Sequence, residues 1–153
     1  MVVLRNRLAF VIPVVGMIVL LFSCGKNAPS ARARVLDFVR TIQADSLADI
    51  MPYIDLDSVA TYEYKDAQYD SLTMDQKKRR LLAGFVGNGE YRGVWAKSQI
   101  VVNNEFYSDD TTARVEVSFI DRSTRIQYYS QMGMKLRSNL WVITNFKVNQ
   151  EQN

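Results

Sequence analysis

Apolar positions in this chain change period twice, and each change marks a different kind of element. Val35, Phe38, Val39 and Ile42 stand at i, i+3, i+4 and i+7, one face of a helix that opens at Ala31 with Ser30 as its cap. A second short helix is predicted from Ser46, with Asp49 at the capping-box offset, Leu47, Ile50 and Met51 on its apolar side and Pro52 ending it. Residues 53–72 show no clear period and read as a loop with short turns, whose Tyr62, Tyr64 and Tyr69 pack over the domain. Thr73 opens a third helix, with Gln76 completing a capping box, Met74, Leu81, Leu82 and Phe85 facing inward, and Gly87 and Gly89 stopping it.

Beyond Gly93 the period becomes two. Residues 97–107 read as a strand and Asp109-Asp110 as a turn. In residues 111–121, Val115, Val117 and Phe119 alternate with Arg114, Glu116 and Ser118, which gives one dry and one wet face. The next strand places Ile126, Tyr128, Met132, Met134 and Leu136 on one side, Ser138-Asn139 turns the chain, and residues 140–148 form the last strand. Four strands with tight connections predict an antiparallel meander. Helices followed by such a sheet predict an α+β domain over residues 31–148, its N-terminal helices on one face of a curved four-stranded antiparallel sheet, with residues 149–153 as a C-terminal tail.

Ahead of that domain the pattern has no period at all. Leu8 to Phe22 is an uncharged apolar run preceded by Arg5 and Arg7, the arrangement of a secretory signal peptide spanning residues 1–23. It is shorter than the roughly 20 residues that span a hydrocarbon core, and Pro13 and Gly16 weaken it as a helix. A retained anchor helix is the alternative. Residues 24–30 then form a polar tether containing Gly, Pro and Ser.

Charge looks basic until it is divided. Of 19 Lys and Arg residues, two stand in the leader, and the remainder nearly balances 16 Asp and Glu. A near-neutral domain lacks the positive field that nucleic-acid backbones require. Lys26, Arg32, Arg34 and Arg40 cluster near the tether, where they face anionic head groups or plain solvent. Lys77 to Arg80 occupy a single helical turn and read as a solvated face. The absence of histidine excludes Ser-His-Asp and Cys-His catalysis and imidazole-ligated metals, and a single cysteine excludes an internal disulfide. No cofactor and no metal site is expected.

That cysteine is Cys24, directly after the apolar run. Leu21-Phe22-Ser23-Cys24 resembles the lipobox of bacterial lipoproteins, although Phe22 stands where a small residue is usual. The resemblance implies cleavage between Ser23 and Cys24 and a diacylglyceryl group on the Cys24 sulfur, which anchors the protein to a membrane. Gly25 in place of Asp implies sorting to the outer membrane, facing the periplasm. Two or three acyl chains hold a protein at a bilayer where one binds only reversibly.

The element order, with DFVRTIQADSLADIMPYI, TTARVEVSFID and MKLRSNLWVITNF as its signposts, resembles the nuclear-transport-factor-2-like superfamily, in its branch of small bacterial lipoproteins. That resemblance implies a cone-like domain whose cavity often takes an apolar ligand, lined here by Tyr53, Trp95, Tyr128, Met132 and Trp141. These residues suit a plain core equally well. It also implies contact with a partner or a homodimer through the outer sheet face, where Gln127, Tyr129 and Gln131 lie. Some relatives are ketosteroid isomerases or polyketide cyclases, which use an acidic base in an apolar cavity, and Asp121 is the candidate base. Asp121 reads equally as the first residue of a solvent-exposed turn. The expected function is a non-catalytic binding or interaction module of the cell envelope.

Overall fold

The structure is a computed structural model that describes residues 29–44 and 49–150. The leader, Cys24 and residues 45–48, including Ser46 and Leu47 of the expected second helix, lie outside the described residues. Among the described residues, four α-helices are followed by four strands: α1 (Ala31–Ala44), α2 (Leu56–Glu63), α3 (Met74–Phe85), α4 (Glu90–Lys97), β1 (Ser98–Asp109), β2 (Thr112–Asp121), β3 (Gln127–Arg137) and β4 (Leu140–Gln150). The sheet is an antiparallel meander in the order β1-β2-β3-β4, with the helices against one face, so the chain is α+β.

Of the expected caps, those at Ser30 and Thr73 form. Ser30 Oγ accepts from Ala33 N–H at 3.2 Å. Thr73 and Gln76 exchange side-chain and backbone hydrogen bonds in a full capping box. Helix α1 buries Ala31, Val35, Phe38, Val39 and Ile42, the face its spacing marks out. On α3, Leu81, Gly84 and Phe85 are buried, whereas Met74, the first residue of the helix, is exposed.

The structure corrects the sequence in several further places. Residues 53–72 are not a loop: Asp55 caps α2 by accepting from Ser58 N–H, Val59 and Ala60 are buried, and Ala67–Tyr69 adds a 3-10 turn. Pro52 does not end a helix but sits in the first turn of the 3-10 segment Met51–Tyr53, where a missing N–H costs nothing. Gly87 and Gly89 do stop α3, but residues 90–96, to which the pattern gave no element, form most of α4. Gly89 stands at the N-terminus of α4, and a Cβ there would meet the Ala83 carbonyl oxygen at 2.2 Å, so the corner between α3 and α4 closes only around glycine. Finally, β4 runs to Gln150, because Asn149 and Gln150 pair with Tyr129 and Tyr128.

Three register shifts bend the sheet. In β1, Val102 pairs with Val117 but Glu105 with Val115, a second shift falls between Tyr107 and Asp109, and in β3–β4 one falls between Gly133 and Met134. An extra residue on one strand increases local twist and curvature. The inner face carries Val115, Val117, Phe119, Met132, Met134, Ile143 and Phe146, all buried. Ile126 precedes β3 and is exposed, since its carbonyl accepts from Asp121 N–H to close the β2–β3 turn.

Candidate functional site

Five rings fill the space between α1, α3, α4 and the sheet. Phe38 lies 5.8 Å from Phe85, 5.6 Å from Trp95 and 6.1 Å from Phe146 between centroids, and Trp95 lies 5.0 Å from Phe119. Offset and edge-on contacts at these separations are the favoured geometries of aromatic pairs. Of the expected pocket residues, Trp95 belongs to this cluster and Met132 pairs with Phe146 across the strands; both are buried. Tyr53 packs on Phe38 at 5.8 Å and donates to or accepts from Thr41 Oγ1. Tyr128, opposite Phe119 on β2, is half-buried. Trp141 is buried in the same core near the β3–β4 turn: it pairs with Leu136 across the hairpin, meets Tyr107 at 5.6 Å, and its carbonyl accepts from Arg34, whose guanidinium lies over the Tyr53 ring. All five thus join or border one core, with Trp141 and Tyr128 at opposite ends of the β3–β4 pair.

The candidate base does not stand in an apolar cavity. Asp121 Oδ1 accepts from Ser123 N–H, Ser123 Oγ and Thr124 N–H. The Ser123 hydroxyl, followed by the Thr124 and Ser123 amides, holds its carboxyl down to about 2. An acid so stabilised as its anion is a turn anchor and a poor proton acceptor.

A different carboxylate borders the aromatic cluster. Glu63, in the last turn of α2, accepts a hydrogen bond from Tyr91 Oη at 3.0 Å. Burial pushes the Glu63 carboxyl up, against the pull of the Tyr91 hydroxyl and Lys65. The same burial, with the nearby Glu63 charge, pushes the Tyr91 phenol up as well. Tyr91 stacks on Phe85 at 4.7 Å and 17°, and it fits because Gly84 lacks a side chain: a Cβ there would fall 2.6 Å from the Tyr91 ring. Beside it, Tyr64 and Tyr69 meet edge-on at 5.0 Å under the Arg80 guanidinium. Chemically, the pair offers a half-buried acid and a phenol donor at the edge of an apolar wall. The sequence hid it because the two partners stand 28 positions apart on helices that it did not reveal.

The basic runs are largely used internally. Lys77 Nζ donates to the Tyr64 carbonyl and Lys78 pairs with Asp57, so these residues hold α3 against α2. Arg32 donates through Nε to Asn103 O at 2.8 Å and through Nη2 to Val102 O at 3.0 Å. Arg34 donates to the Trp141 and Pro52 carbonyls and lies 4.2 Å over the Tyr53 ring. Of the four cations near the tether, these two are committed to the fold, and Arg40 is exposed. Among the described residues, no three His, Cys, Asp or Glu side chains come together in a metal-binding group, and no helix is long and apolar enough to cross a membrane.

No protein-family model matches this chain, and no curated protein matches it. Among solved structures, it is similar to a de novo designed protein with a curved β-sheet, at 17% identity, over 79% of this chain and 84% of that one, with a TM-score of 0.45.

Proposed function

We propose that this protein is a membrane-anchored cell-envelope lipoprotein whose α+β domain is a non-catalytic binding or interaction module. One observation carries the reading: Arg5 and Arg7, the apolar run to Phe22, Ser23 and the sole Cys24 follow in the order that lipoprotein processing requires. Cleavage leaves Cys24 six residues from the first helix, so acyl chains hold the domain close to the bilayer. The outer membrane, facing the periplasm, is the destination that Gly25 favours.

The ring-filled interior favours interaction through the surface over enclosure of a large apolar ligand. The outward sheet face is the surface we assign to an envelope partner or a second copy. Gln127, Tyr129 and Gln131 lie there half-buried, with the exposed Val101. Replacing Cys24 with Ala tests the reading directly. The variant accumulates as uncleaved precursor and incorporates no radiolabelled fatty acid; normal cleavage and labelling of Cys24→Ala refute lipidation at this residue.

A second reading has one observation in its favour. An acid–base enzyme would draw on Glu63 and Tyr91 instead of Asp121, because Glu63 is the desolvated carboxylate at the aromatic wall. Enol or steroid isomerisation that disappears in Glu63→Gln supports it, and no turnover by the unaltered chain removes it.

A further inference from the structure

Large apolar side chains are exposed at several separate places, but four gather at one end of the domain. Tyr107 is 50% exposed, Met51 48%, Leu140 45% and Phe106 44%. Phe106 and Tyr107 lie on the last part of β1, and Leu140 opens β4 beside Trp141, whose ring meets Tyr107. Met51 stands next to Pro52, whose carbonyl accepts from Arg34, and Arg34 also donates to the Trp141 carbonyl. Strand alternation puts Phe106 and Leu140 on the outer face and Tyr107 on the helix-covered face, so this end carries apolar tips on both sides of the sheet, unlike apolar residues scattered singly over a surface.

The same end receives the tether. The N-terminus of α1 is pinned to β1: Arg32 N–H donates to Glu105 Oε2 at 2.8 Å, Ala31 N–H approaches Tyr107 Oη at 3.5 Å, and the Arg32 guanidinium grips the bulge carbonyls. The carboxylate also favours the positive end of the helix dipole. From Ala31, the seven steps back to Cys24 reach at most about 25 Å. The opposite end of the sheet, marked by Ile126, is farther off, since the 11 residues of β3 span roughly 35 Å.

We propose that the end built from Phe106, Tyr107, Leu140 and Met51 rests in the interfacial layer of the same bilayer that holds the Cys24 acyl chains. This surface rests on the lipoprotein reading above. Its occupant is lipid because the anchor presents this end to the membrane first and the residues have interfacial character: aromatic rings and aliphatic tips. Charge does not drive the contact. Arg32, Arg34, Arg114, Lys135 and Arg137 at this end are offset by Asp49, Asp55, Glu105, Asp109 and Asp110, with Arg137 paired to Asp55, so zwitterionic lipid suffices.

The test uses the full lipidated chain in phosphatidylcholine vesicles containing a shallow spin-labelled quencher lipid. With Cys24 acylated, a new cysteine is the sole thiol. Leu140→Cys carries an environment-sensitive fluorophore, Phe106→Cys is the second variant, and Ile126→Cys is the distal control. The labels at 140 and 106 lose about half or more of their emission to quenchers at the roughly 5–10 Å depth of interfacial side chains, while the label at 126 does not. Equal quenching at all three positions, or none at 140 and 106 in an acylated chain, overturns the surface alone. Self-quenching between copies at 140 without lipid quenching assigns it to a second copy and overturns it too. A chain whose intact mass carries no acyl groups overturns this surface and the lipoprotein reading together.

Discussion

Two carboxyl groups, Glu63 and Asp121, stand at opposite extremes of solvation, and they respond to pH in opposite senses. Burial raises Glu63 above its ordinary 4.5, so the folded state holds this proton more tightly than the unfolded chain does. The stabilising contribution is full below the ordinary value and is lost as pH rises through the raised one. Glu63→Gln keeps an acceptor for Tyr91 and removes the charge. We expect it to be more stable than the unaltered chain at neutral pH, by less than about 1 kcal/mol after solvent screening, and indistinguishable from it near pH 4. Urea unfolding at the two pH values measures the difference; an equal offset at both excludes a protonation effect. Asp121 behaves conversely. Its depressed value, about 2 against an ordinary 3.8, makes its contribution present above that window and lost on acidification through it.

Among the elements, local chemistry separates those the pattern reveals from those it does not. Ser30 and Thr73 cap their helices through bonds to residues three positions on, and such contacts are visible in a linear sequence. Thr73→Ala removes one half of the capping box, and a loss of about 1 kcal/mol is expected in chemical denaturation; no change means that tertiary contacts alone hold the first turn of α3. Helices α2 and α4 have only eight residues each, too short to be stable alone. Glu63, Tyr91 and Gly93 lie in them without an apolar stripe long enough to read. Packing of Val59, Ala60 and Trp95 against the rest of the molecule supplies what local propensity lacks.

At the scale of the whole molecule, Phe38 is the residue that most elements share. Its ring contacts those of Tyr53, Phe85, Trp95 and Phe146, which come from four segments of the chain. Phe38→Ala removes a fully buried ring at their junction and is expected to cost about 3–5 kcal/mol in urea unfolding. A loss below about 1 kcal/mol would mean that the neighbouring rings collapse into the space, and it would make an adaptable, ligand-accepting interior the better description.

Sequence alone determined the face of α1, both long-helix caps, the four strands and their meander, and the ordered run up to Cys24. Each of these is set by neighbours within a few positions or by a period that repeats along one element. The pairing of Glu63 with Tyr91, the spread of the expected pocket residues along one core from Trp141 to Tyr128, and the pinning of α1 to the β1 bulge were decided only in three dimensions. They join side chains from different elements, and one extra residue in a strand shifts every inward position beyond it.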